Sequence, residues 1–188
     1  CLLNPPEGFA LGDLELGKRF VSDLLAGETV RIEGAAPWLA SAQLPEDPQA
    51  RLTVHVGHAE RAPSADELLI YPRNVLVAVR AGVANLPQAI GEALHQAKIA
   101  AQSVALLLAS ERDMADPSLR EAALELGVPL RFVSDGASLD TLARNAVGEP
   151  LSISGDERIT LAVVGQPLQP LSIGRPRGRL AVIGLGQS

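Results

Sequence analysis

Aromatic residues are scarce in this sequence: Phe, Trp and Tyr together make up 3% of 188 residues, with a single Trp and a single Tyr. The core must therefore be filled by Leu, Val, Ile and Ala, which suits layered α/β packing better than a small aromatic-pinned β domain. Cysteine is nearly absent as well. With Cys1 alone, an internal disulfide and a cysteine-rich metal site are both excluded. No apolar run approaches the roughly 20 residues that cross a bilayer, so a membrane is not an expected partner. The charge of −6, from 16 Lys and Arg against 22 Asp and Glu, is not gathered into blocks. Nucleic acid is excluded on the same reading, because phosphate binding wants a clustered basic face. The signatures of the nucleophile elbow, the zinc proteases and the P-loop are missing too.

What is present is a globular composition, 47% apolar and 20% charged, long enough for one large or two small domains. Residues 13–26 read as a short amphipathic helix, with Leu16, Phe20 and Leu24 four apart, Asp13 as cap and Gly27 as stop. Residues 29–33 and 51–57 read as strands, separated by a Pro- and Ala-rich connector that carries Trp38. A polar stretch from 58 to 66 then marks an expected boundary, which makes residues 1–66 a smaller α+β region. Beyond it the pattern changes. Residues 75–79 and 104–109 are continuous apolar runs of the kind expected for strands buried on both faces, with a helix expected over 86–101 between them. Asp116 and Pro117 open a further helix that stops at Gly127, and residues 129–133 make a third strand. Residues 138–146 suggest another helix and 158–164 a last strand, antiparallel at an edge. The expected fold class is α/β, a small three-layer βαβαβ domain with a mainly parallel sheet over 67–166. Residues 167–188 read as a Pro-rich linker that will not pack, then a strand near Leu180. Cys1 in place of Met suggests a segment cut from a longer protein.

In a parallel sheet, ligands sit beyond the carboxyl ends of the strands, where loops meet helix N-termini. Three loops qualify: Arg80-Ala81-Gly82, Ser110-Glu111-Arg112-Asp113, and Ser134-Asp135-Gly136. Arg80 and Arg112 offer guanidiniums for carboxylates or phosphates. Glu111 and Asp113 are candidates for acid/base work. Gly82, Ser110, Ser134 and Asp135 complete the candidate binding set. His55 and His58, three apart near a strand end, read as exposed histidines rather than metal ligands, and His95 as flanking helix packing. No metal site is expected.

The stretches Leu69-Ile70-Tyr71-Pro72-Arg73, Arg80-Ala81-Gly82, Ala115-Asp116-Pro117 and Leu126-Gly127-Val128-Pro129-Leu130-Arg131-Phe132 resemble the carboxyl-terminal domain of the cobalamin biosynthesis protein CbiG, also found alone as CobE. Upstream, Leu24-Leu25-Ala26-Gly27-Glu28-Thr29-Val30 and Trp38-Leu39 look like that family's middle region. Residues 178–186, Gly-Arg-Leu-Ala-Val-Ile-Gly-Leu-Gly, resemble the opening strand of a precorrin-3B C17-methyltransferase of the CobJ kind. The resemblance implies a role in cobalamin biosynthesis, as a module that binds a tetrapyrrole precorrin intermediate and is fused to or associated with a precorrin methyltransferase. It also implies two alternatives. One is a cobalt-precorrin-5A hydrolase that opens the δ-lactone and releases acetaldehyde, with Glu111 or Asp113 as base; the other is the leading part of a bifunctional methyltransferase. No cofactor is implied for these residues, but S-adenosylmethionine would be, should a methyltransferase continue beyond Ser188. A cytoplasmic location is expected. The sequence departs from the family where Gly-Cys-Arg-Arg-Gly is replaced by Ala78-Val79-Arg80-Ala81-Gly82, and where Met114 stands in place of a Lys.

Overall fold

The computed structural model describes residues 2–134 and 138–169. Its elements run β1 (Phe9–Leu11), α1 (Leu14–Leu25), β2 (Val30–Glu33), α2 (Pro37–Ala40), β3 (Leu52–Val56), β4 (Glu67–Pro72), β5 (Val75–Val79), α3 (Leu86–Gln96), β6 (Val104–Ser110), α4 (Pro117–Leu126), β7 (Leu130–Val133), α5 (Leu139–Val147), β8 (Ser152–Gly155) and β9 (Ile159–Val163). Two sheets result, a four-stranded one in the order β1-β4-β3-β2 and a five-stranded one in the order β7-β6-β5-β9-β8. The chain is α/β, as its composition and periodicity suggest.

In the smaller sheet β2, β3 and β4 are parallel and β1 is antiparallel to β4. The side chain of Asp13 accepts the Leu16 N–H at 2.9 Å and so starts α1, which drops Phe20 into a core with Val30, Leu52, Val54, Leu68 and Ile70. β4 belongs to this sheet. The change from one sheet to the other therefore comes after Pro72, at Arg73-Asn74, and not at the polar stretch 58–66. Polar composition there reflects a surface crossing whose backbone pairs with the end of α3: Glu60 N–H donates to Lys98 O at 2.9 Å, and Ala100 N–H to His58 O at 2.8 Å.

In the larger sheet β5, β6 and β7 are parallel, while β9 and β8 run antiparallel beside β5. Alternation along a strand sends successive side chains to opposite faces. Val75, Val77 and Val79 accordingly pack beneath α3 and α4, and Leu76 and Ala78 pack against α5. That is why residues 75–79 are apolar without interruption, and why the domain has three layers. β9 is not an edge strand; β8 pairs outside it, and all five residues of β9 are buried. α3 ends at Gln96, short of the expected 101, because Lys98 takes a left-handed φ of 58° and turns Ile99 and Ala100 into contact with the first half. The segment from 166 onward does pack where it is described: Leu168 N–H donates to Arg73 O at 2.9 Å and its side chain joins the α5 face. The expected strand near Leu180 lies outside the described residues.

Candidate functional site

Strand register fixes which loops meet. Ser110 pairs with Val133, Ala78 with Leu108, and Val79 with Ile159. The loops that follow β5, β6 and β7 thus leave one edge of the sheet, joined there by the β8–β9 turn, residues 156–158.

The first two loops are tied directly. The N–H of Ala81 donates to Oδ2 of Asp113 at 3.2 Å, and the N–H of Gly82 to Oδ2 of Asp116 at 2.9 Å. Arg80 Nε stands 3.7 Å from the same Asp113 oxygen, with side-chain exposures of 20% and 14% for the pair. The Nη1 atom of Arg80 is buried and has no hydrogen-bond partner among the described residues. On the other flank the N–H of Arg80 donates to Arg158 O at 3.1 Å, which brings the β8–β9 turn alongside.

The expected site residues that are described lie on this edge. Ser110 is fully buried, and its Oγ accepts the Arg112 N–H at 3.3 Å. Glu111, Arg112 and Asp113 form one 3-10 turn in which the Arg112 side chain is exposed. Arg80, Gly82, Asp113 and Arg112 are therefore brought together, and Ser134 is exposed at the end of β7. Asp135 lies outside the described residues. Met114 packs partly against the α3–α4 core, which an ammonium would not do at low cost. Val79 is fully buried in that core as well.

Two contributors escaped the reading of the sequence. Asp116 was expected only as a helix cap; its carboxylate does accept the Ser118 N–H at 2.9 Å, but it also holds Gly82. These N–H donors, Gly82 first and then Ser118, hold its pKa below the ordinary aspartate value. The β8–β9 turn supplies Arg158 and Asp156, whose carboxylate accepts the N–H of Arg158 at 2.8 Å and of Ile159 at 3.1 Å and is likewise held below the usual range. The signal was Gly155-Asp156, a turn pair by composition. Clefts of about 440 and 270 Å³ flank this turn, one against α3 and the other beside Ser138 and Asp140.

The histidines sit elsewhere. His55 Nδ1 lies 3.2 Å from Glu33 and His95 Nδ1 3.0 Å from Glu60. Among the described residues no group of three or more His, Cys, Asp and Glu is arranged to hold a metal ion. No described helix is long and apolar enough to cross a membrane.

Fold and edge together define a three-layer α/β domain whose loop crown, beyond the carboxyl ends of parallel strands, combines arginine side chains with backbone N–H groups. No family model matches the chain, and no curated protein matches it. Among solved structures, a cobalamin biosynthesis protein G homolog from Sulfolobus solfataricus aligns at 11% identity with a TM-score of 0.34, covering 86% of this chain and 57% of that one. Similarity of that size establishes neither a shared fold nor a shared activity.

Proposed function

We propose that the chain is a binding module for a carboxylate-bearing tetrapyrrole intermediate of cobalamin biosynthesis, held for a fused or associated precorrin methyltransferase. The motifs around Tyr71, Arg80, Asp116 and Gly127 support the pathway. The observation that carries the binding role is the crown itself: Arg80, Arg112 and Arg158 share one edge through the contacts of the Arg80 loop. A macrocycle fringed with carboxylates needs several positive groups spread over one surface, and arginine forks suit carboxylates better than point charges do. An acidic protein of charge −6 must supply those groups locally.

Holding is favoured over hydrolysis by the use made of Asp113. Its Oδ2 already accepts the Ala81 N–H and faces Arg80. That oxygen fastens the Arg80 loop, a positioning use that a binding crown requires. The methyltransferase reading depends on residues beyond the described ones, and with it S-adenosylmethionine.

The test is an absorbance titration with uroporphyrin and with cobyrinic acid, both macrocycles fringed with carboxylates. Saturable binding that weakens at least tenfold in the triple variant Arg80→Ala, Arg112→Ala, Arg158→Ala is the expected result. No binding by the unaltered chain, or equal binding by the triple variant, overturns the reading. Release of acetaldehyde from cobalt-precorrin-5A above a buffer control would replace it with the hydrolase.

A further inference from the structure

We propose that the cleft of about 440 Å³ between α3 and the β8–β9 hairpin seats one flank of the ligand ring, with its flat face on a wall of alanines and its carboxylate arms turned outward to Arg158 and the crown. This rests on the carboxylate-bearing macrocycle of the preceding subsection and says which surface receives the ring itself.

Layering explains why the cleft exists. On this face of the larger sheet α3 stands over β9 and beside α4, while α4 stands over β6 and β7. Strands lie about 4.8 Å apart and packed helices about 8–10 Å apart, so two helices cover about four strands and a fifth is left over. Among the described residues that strand is β8. Its side chains agree: Ile153 packs into the α5 cluster on the other face, so its neighbours Ser152 and Ser154 turn toward the α3 side, where both are exposed. A strand covered on both faces is apolar throughout, as β5 is.

The lining suits a flat ring with acidic arms. Ala89, Ala93 and Ala97 follow one another at intervals of four and so share one side of α3 and its end. Methyl side chains let a planar face come close to the helix, and buried Ile159 and Leu161 of β9 add an apolar floor. Polar groups stand around them: Arg158 in the turn, Ser154 on β8 and Gln96 at the end of α3. An apolar interior of this volume with a few convergent polar groups is the usual form of a small-molecule site. A tetrapyrrole exceeds the volume, so one flank enters and the rest spans the mouth.

Charge sets the orientation. Glu92 and Asp156 also line the cleft, and they turn carboxylates away from its interior. The Asp156 carboxylate accepts the N–H groups of Arg158 and Ile159 at 2.8 and 3.1 Å, and Arg158 Nη2 gives it one further contact at 3.3 Å. A guanidinium has five N–H donors, so Arg158 keeps others for an arm of the ligand. The cleft also adjoins the Arg80 loop. Val83 and Ala84, next in sequence to Gly82, line it, and the Arg80 N–H donates to Arg158 O at 3.1 Å. A ring seated here therefore presents its outward arms to the crown.

The experiment titrates the unaltered chain with uroporphyrin while ¹⁵N spectra follow the amides of Ala93, Ser154 and Leu161, then repeats the absorbance titration on Ala93→Leu and Ser154→Val. Leu is close to Ala as a helix former and Val suits a strand, so both substitutions fill the cleft without opposing the fold, which thermal melting checks. Gly91→Ala, on the opposite side of α3 and with open space around its Cβ, is the control. The expected result is shifts at those amides, with affinity weakened about tenfold or more in a folded cleft-filling variant and kept in Gly91→Ala. Should neither filling variant fold, the shifts decide alone. Affinity unchanged in the folded filling variants, a like loss in Gly91→Ala, or shifts confined to residues 80–82 and 110–113 overturns the seat and leaves the binding module standing, because the arginine triple variant tests that separately. Absence of binding by the unaltered chain removes both.

Discussion

Gly82 anchors the Arg80 loop, and two alanine substitutions of opposite sign measure its conformation. Gly82 has a φ of +83°, and a Cβ added there would meet no heavy atom within 4 Å. The cost of Gly82→Ala is then backbone strain alone, about 1–2 kcal/mol for an L-residue driven into the left-handed region. Gly91 is the internal control. It lies in the middle of α3, carries no positive φ, and likewise has open space around an added Cβ. There Ala removes backbone freedom from the unfolded chain and gains about 0.5–1 kcal/mol. In a chain of this size each kcal/mol moves the melting midpoint by about 2–4 °C. Gly82→Ala is expected to melt lower than the unaltered chain and Gly91→Ala higher, in calorimetry and in urea titration alike. Should Gly82→Ala melt at or above the unaltered chain, the left-handed turn is wrong, and with it the approach of the Gly82 N–H to Asp116.

Two further outcomes concern pH. Asp116 and Asp156 both have lowered pKa values, set by backbone N–H donors, so their stabilising share is whole above the unfolded aspartate value of about 3.9 and is lost as pH falls through the folded values. Acid unfolding followed by circular dichroism should lose part of its pH dependence below about pH 4 in the double variant Asp116→Asn, Asp156→Asn; an identical acid transition would contradict the two carboxylate contacts. Tyr71 is the sole tyrosine, and burial pushes its hydroxyl above the ordinary value. Its stabilising share is whole below about pH 10 and lost as pH rises through the folded pKa. Phenolate absorbance at 295 nm should appear at higher pH in the folded chain than in urea, and coincident curves would place Tyr71 in water.

Helix starts and buried strands were legible because their signals are local. Asp13 and Asp116 cap the helices they precede, and the apolar runs of β5 and β6 are buried at every position. β1 and β8 were not legible. Phe9-Ala10-Leu11 is a strand only through its pairing with β4, and Ser152-Ile153-Ser154-Gly155 only through β9. The antiparallel β9 was expected at an edge because nothing in the Ser-rich stretch before it announces a partner. At the crown Arg80, Glu111, Arg112 and Asp113 were visible as loop residues, whereas Arg158 and Asp156 were not. That Asp113 meets Ala81, 32 positions away, was not.

Layering, helix starts and the identity of the buried strands follow from composition, periodicity and caps, each of which acts over a few neighbouring residues. Which sheet received β4, which strand covered β9 and which carboxylate reached the Arg80 loop were settled by packing alone. Strand backbones offer the same donors and acceptors to any partner, so the choice among them belongs to side chains that meet only when the chain is folded.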